Sequence, residues 1–281
     1  MFHYDQAVEQ AFAGYRMKLR HRRRLLIAPA GKRSRLAVIL LAASLAPGLL
    51  LAQAPVLELD HAYIVVEPPV SRATEALRRA GLTVDTGITH HDGQGTASLA
   101  VFFDNAYLEL LWVDPGTPVD SAHLGDLADF NRAARWRTSG ASPFGIGLHF
   151  LAGTSADLPI RARQAPAPHL GPAAFYLLLR QPQDSLEADI FIMPASAAVP
   201  AWISRYRGRR PDLFAHALGA SRITRVVLYG PPTNRPRAAD LTVQRVTFEV
   251  AETQYMLVEL DAGRQGRVWD LRPALPLVLH R

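Results

Sequence analysis

Two stretches of this chain follow one plan. LDHAYIVVEPP at 59–69 and ITRVVLYGPP at 223–232 each run a β-branched, aromatic-rich strand into a proline pair. Proline cannot donate to a sheet ladder, so each pair ends its strand at a fixed place. A second echo links YLELLWV at 107–113 with YMLVEL at 255–260. Alternation puts the tyrosine and the glutamate of each stretch on one face of its strand. A chain that repeats strand, stop and return strand is built from repeated supersecondary modules.

The first module reads in full. Residues 57–66 form a strand. Ser71 is a plausible helix cap before ATEALRRA, whose Ala73, Ala76, Leu77 and Ala80 share a face, and Gly81 is placed to close that helix. Leu82–Thr86 is a short strand, and His90–Thr96 (HHDGQGT) is a polar, glycine-rich loop. Residues 97–103 and 107–113 make a hairpin across Asp104-Asn105. The order is β-α-β-β-β over about 57–113, and mixed order with antiparallel hairpins gives an α+β class. A linker follows over 114–144, with one amphipathic helix at Leu124–Arg135. Degenerate later modules cover about 145–260. Their strands are expected at 145–151, 173–180, 188–193, 222–229, 241–250 and 254–260, with a weak helix at 155–163 and none before the last strands. The tail, 261–281, is proline-broken from Val268 and expected to lie across the surface.

Composition narrows the function classes. In 281 residues, 49% hydrophobic and 20% charged, there is enough chain for a substantial core and too little charge for disorder. With no cysteine, thiolate catalysis, Cys-ligated zinc and iron–sulfur clusters are excluded. The net charge of +6 resides in the leader: residues 1–54 hold nine Lys/Arg and two Asp/Glu, and the remainder holds 22 and 23. Nucleic-acid binding by the folded part is therefore discounted. Residues 36–52 (LAVILLAASLAPGLLLA) form one uncharged run, preceded by Lys32, Arg33 and Arg35 and followed by Ala52-Gln53-Ala54. These are the three parts of a secretory signal. The expectation is an exported, periplasmic or secreted protein with a leader at 1–54 and a folded domain at 55–281. A membrane anchor at 36–52 is the alternative, and the start lies at Met1 or Met17.

His61 and Glu109 are the first candidates for chemistry. Alternation puts His61, Tyr63 and Val65 on one face and Tyr107, Glu109 and Leu111 on another. If both faces line one curved sheet, imidazole and carboxylate converge on a divalent metal site. The alternative is a hydrogen-bonded histidine and a carboxylate paired with arginine. His90 and His91 lie in the glycine-rich loop, where Gly93 and Gly95 allow close backbone approach to a ligand and free amides to hold an oxyanion. An ordinary exposed turn is the competing reading. The arginines of SRYRGRRPD, including Arg205, Arg207, Arg209 and Arg210, read as solvated loop residues near Asp212. There is no GxSxG elbow, P-loop or complete Rossmann motif, and the GIG at 145–147 lacks the third glycine and following helix.

LDH at 59–61, the loop His91–Thr96 and YLEL at 107–110, in that order, resemble the glyoxalase-like domain of the vicinal oxygen chelate superfamily. FGIGLHF and HALGASRITRVVLY are similar to later landmarks of that domain. The resemblance implies repeated β-α-β-β-β modules forming a curved mixed sheet around a cleft. It implies a divalent ion (Zn, Ni, Fe or Mn) that chelates two neighbouring substrate oxygens and stabilises an enolate-like intermediate. His61 and Glu109 match the first module's ligand pair, and His149 and Glu259 are the candidates for a second pair. Aligning the later units puts the counterpart of His61 near Gly145 and near Thr224 or Arg225, so the second pair departs from the pattern. The catalytic candidates are Glu109 and His91; the substrate contacts are His90, His91, Gly95, Thr96 and Tyr107. The implied activity is that of a metal-dependent lyase, isomerase or dioxygenase on a small oxygen-rich substrate. The alternative is a metal-free binding or sequestration module. The partner is a small molecule, membrane contact is through the leader alone, and a homodimer is an open alternative.

Overall fold

The computed structural model describes residues 56–179 and 186–281. The leader readings, including the run at 36–52, lie outside these residues. Among the described residues no helix is long and apolar enough to cross a membrane.

The chain opens with strand β1 (Val56–Val65), helix α1 (Ser71–Arg79), then β2 (Thr89–His91), β3 (Thr96–Phe102) and β4 (Tyr107–Val113). Helix α2 (Leu124–Ala134) leads to β5 (Phe144–Ala152), β6 (Arg163–Pro166), β7 (Phe175–Leu178) and β8 (Asp189–Ile192). These strands form one curled mixed sheet in the order β2-β3-β4-β1-β5-β8-β7-β6. β1 runs parallel to β4 and antiparallel to β5, so two modules meet along its two edges.

Helix α3 (Val199–Arg209) precedes β9 (Ile223–Gly230), β10 (Val243–Gln244), β11 (Val246–Val250), β12 (Tyr255–Leu260), β13 (Val268–Asp270) and β14 (Leu277–His280). β10 pairs with β1, and the rest form a second sheet in the order β11-β9-β12-β14-β13. One core lies between the sheets. Leu57, Leu59, Ala62, Ile64, Ile146 and Leu148 from the first pack with α1 and with Val226, Met256, Val258, Leu277 and Leu279 from the second. The second sheet thus covers the convex back of the first, and the concave face is left to build a site.

Several local expectations are corrected. Ser71 begins α1 without capping it, because Val70 occupies the cap position with no side-chain hydrogen bond. Leu82–Thr86 is extended but forms no strand: Thr83 bonds instead to His216 and the Ala215 carbonyl. Residues 155–163 hold only a short turn at Ser155–Asp157. Helix α3 was not expected, and its Arg205, Arg207 and Arg209 are helical; Arg210, just past its end, pairs with Asp212 at 2.9 Å. The stretch 241–250 divides into two strands in different sheets. The tail is no surface strap, since β14 lies inside the second sheet with Leu277 and Leu279 fully buried.

Candidate functional site

A bulge in β1 builds the concave face. Leu59 pairs with Leu148 and His61 with Gly147, so Asp60 is the extra residue. An extra residue flips the side-chain parity of everything after it. Leu57 and Leu59 point to the core before the bulge, and Ala62 and Ile64 after it. Glu58, Asp60, His61, Tyr63 and Val65 are left on the concave side. Register carries that face across the sheet: His61 lies beside Tyr107, Tyr63 beside Glu109, and Glu109 beside Ala100 of β3. His91 pairs with Thr96 and shares the face.

Glycines at 145 and 147 give the rings their room. A Cβ on Gly147 would collide with the imidazole of His61, and one on Gly145 with the ring of Tyr63. The GIG triplet thus serves close packing of two functional side chains across β5. His61 stacks on Tyr107, with centroids 4.4 Å apart and planes 9° apart, and meets Phe191 edge-on at 5.4 Å. Tyr63 donates from its hydroxyl to Asp189 Oδ2 at 2.7 Å. Phe130 and Ala133 of α2, with Leu170 and Tyr176, pack over Tyr63, Val65, Leu111 and Phe191.

Glu109 is the centre of the polar cluster. Its Oε2 lies 3.9 Å from His61 Nε2 and its Oε1 lies 3.6 Å from His91 Nε2. His61 is 3% exposed and Glu109 8%. Burial pushes the Glu109 carboxyl above its usual range, against the opposing pull of His61 and a hydrogen bond from Ser98. Burial, with the neighbouring imidazoles of His169, His61 and His90, brings His91 down to about 3, so its ring is neutral. His91 Nδ1 lies 2.9 Å from Thr96 Oγ1, and its ring centroid is 5.0 Å from that of His169. His169 Nε2 bonds the Tyr176 hydroxyl at 2.8 Å.

The loop does not present free amides. Gly93 and Gly95 both donate to the Pro118 carbonyl, at 2.9 and 3.1 Å. Their left-handed φ values of 88° and 70° let residues 118–120 press against them: Cβ atoms there would meet Asp120, Pro168, Val119 and Leu127. Gly95 therefore shapes the site without contacting its centre. His90 alternates to the face opposite His91 and bonds Thr117 and Asp114 at 2.9 and 3.2 Å.

A family model described as a glyoxalase-like domain matches residues 59–244. The chain belongs to the glyoxalase-like domain family. No curated protein matches it. Among solved structures, a hypothetical protein from Staphylococcus aureus is similar over 79% of this chain and 97% of that chain. Identity is 10% and the TM-score 0.43, a likeness too slight to inform the site.

This glyoxalase-like domain does not assemble the four-donor metal centre that the resemblance implied. His61 and Glu109 do face each other. His149 reaches the same face, but its nitrogens lie 3.3 Å from Glu58 Oε2 and 3.4 Å from Asp60 Oδ2, on the far side of the bulge from Glu109. Glu259 belongs to the second sheet, where it accepts from Thr224 at 3.0 Å and lies 4.0 Å from His280. Among the described residues no group of three or more His, Asp or Glu is arranged to hold a metal ion. The donor set therefore does not fit that centre. Sequence reasoning also missed Asp60, His169 and Phe191, and gave Tyr63 a place on the His61 face without a role. The shift of apolar parity from Leu57 and Leu59 to Ala62 and Ile64 was the available signal for the bulge that brings Asp60 onto the concave face.

Proposed function

We propose that this glyoxalase-like domain is a lyase or isomerase that moves protons on a small oxygen-rich carbonyl compound, using His61 and Glu109 as base and acid. The observation that supports this most is the buried carboxyl of Glu109 lying between two imidazoles on the concave face. Burial favours a protonated Glu109, and a carboxylic acid beside an imidazole is a matched acid–base pair. For a hydroxycarbonyl substrate, the C–H proton beside the carbonyl passes to His61 Nε2. The Glu109 hydroxyl proton passes to the carbonyl oxygen. The enediol formed then gives its other hydroxyl proton to Glu109 while His61 returns its proton to the neighbouring carbon. The exchange is redox-neutral and returns both residues to their starting protonation states. Tyr107 holds the His61 ring by stacking, and Thr96 holds His91.

The test is turnover of small hydroxycarbonyls and diketones by the purified protein, with Glu109→Gln and His61→Gln alongside. General acid–base roles predict losses of about 10²–10⁴-fold in each variant. Equal turnover in all three proteins would overturn the proposal.

A second reading, a metal-free binding module, is favoured by one observation. Phe130, Leu170, Tyr176 and Phe191 pack into the concave face and leave His61 and Glu109 nearly enclosed. Saturable ligand binding without turnover would support it. Export through residues 1–54 is likewise our proposal, and the mass of the chain recovered from cell fractions tests it.

A further inference from the structure

His149 does not join Glu109, and its surroundings give it a different task. The ring is buried between two carboxylates, one nitrogen 3.3 Å from Glu58 Oε2 and the other 3.4 Å from Asp60 Oδ2. Neither nitrogen has an aligned hydrogen bond among the described residues. Glu58 makes an ion pair with Arg245 through its other oxygen. Asp60 is fully buried. Its Oδ2 accepts from the backbone N–H of Val199 at the start of α3 (2.6 Å), and its Oδ1 lies 2.9 Å from His61 Nδ1. These side chains run in a line, Arg245–Glu58–His149–Asp60–His61, and end where His61 Nε2 faces Glu109.

The backbone supports this line at its outer end. Arg245 is the single residue between β10, which pairs with β1 of the first sheet, and β11, which belongs to the second. It adopts φ +71°, a left-handed conformation that non-glycine residues rarely take. Its carbonyl accepts from Val226 of β9 while its guanidinium turns to Glu58. Strain of this kind persists where surrounding contacts over-determine it.

Burial opposes ionisation of Asp60, but the hydrogen bonds it accepts from His61 and from the Val199 N–H help hold its carboxyl below the usual range. An ionised Asp60 only accepts, so the His61 Nδ1 beside it must carry hydrogen. The Nε2 lone pair then points at the site.

We propose that Arg245, Glu58, His149 and Asp60 form a polar relay, open at Arg245 and buried at Asp60, that fixes the ring proton of His61 on Nδ1, which makes Arg245 and His149 positioning residues of the site. The use of the lone pair as a base rests on the function proposed above. The tautomer does not.

The experiment is ring-¹⁵N NMR of histidine-labelled full chain, with the His61 signals assigned by their loss in His61→Gln. The expected wild-type result is a protonated Nδ1 and an unprotonated Nε2 at His61. Arg245→Gly relieves the backbone and removes the charge; it should keep the fold and redistribute the His61 proton toward Nε2. Arg245→Lys, which keeps the charge, should restore the wild-type pattern. If Arg245→Gly does not fold, Glu58→Gln gives the same readout with the side-chain shape kept. A wild-type His61 protonated on Nε2, or a folded Arg245→Gly or Glu58→Gln with an unchanged His61 pattern, overturns the relay. Because no turnover is read, failure here is separate from failure of the proposed reaction.

Discussion

Gly147 lies directly across the β1–β5 ladder from His61, and the imidazole occupies the space that a side chain at 147 would fill. The position of the ring is therefore set as much by what β5 lacks as by what β1 carries.

Gly147→Ala should force the ring aside and cost about 1–3 kcal/mol, the usual range for overpacking a filled site. Gly208→Ala is the control. That glycine is inside α3 with open space around it, and alanine there should stabilise by roughly 0.5–1 kcal/mol. Denaturant midpoints of the two variants should move in opposite directions, and a neutral Gly147→Ala would contradict the close packing.

Glu109 and Glu259 look equivalent in sequence, each following a tyrosine on a strand. They should behave differently. Glu109→Gln is expected to lower turnover by about 10²-fold or more. Glu259→Gln changes a hydrogen bond to Thr224 in the other sheet and should leave turnover unchanged. Parallel kinetics on one substrate decides between them.

Burial, with lesser opposed effects from His123 and Asp92, brings His169 down to about 4 from an ordinary 6.5. The folded ring stays neutral where the unfolded ring takes up a proton. Its contribution to stability is therefore complete above about pH 6.5 and is lost as pH falls toward 4. His169→Gln should flatten the fall in stability over that window, as measured by urea unfolding at several pH values. An unchanged slope would show that His169 does not carry it.

Leu277 is fully buried in β14, between β12 and β13. Leu277→Ala should cost about 2–5 kcal/mol by leaving a cavity. At this chain length each kcal/mol lowers the melting temperature by roughly 2–4 °C, so thermal unfolding resolves the effect. A surface strap would show almost none.

Much of the first module was legible in sequence because its signals agree. The Pro68-Pro69 stop, the apolar face of α1, the left-handed Gly81 and the Asp104-Asn105 turn all point one way. The later modules were harder for identifiable reasons. β13 and β14 are three and four residues long and separated by prolines, and only their partner strands make them strands. α3 reads as an arginine-rich loop until Val199 and Ile203 are seen to pack on Leu213 and Phe214. At the site, the pairing of His61 with Glu109 follows from alternation. The place of His149 does not, because a bulge at Asp60 decides which carboxylates it meets.

The order of the strands along the chain also bears on how the protein is made. Every strand of the first sheet except the two-residue β10 is complete by Ile192, yet its convex back stays uncovered until the second sheet forms. That second sheet needs Leu277–His280 between two strands already synthesised. During translation a half-built protein would therefore present a broad apolar surface for the time taken to add almost ninety more residues, about 5–20 s at ordinary elongation rates. Addition of Leu277–His280 completes the second sheet and lets the chain bury that surface.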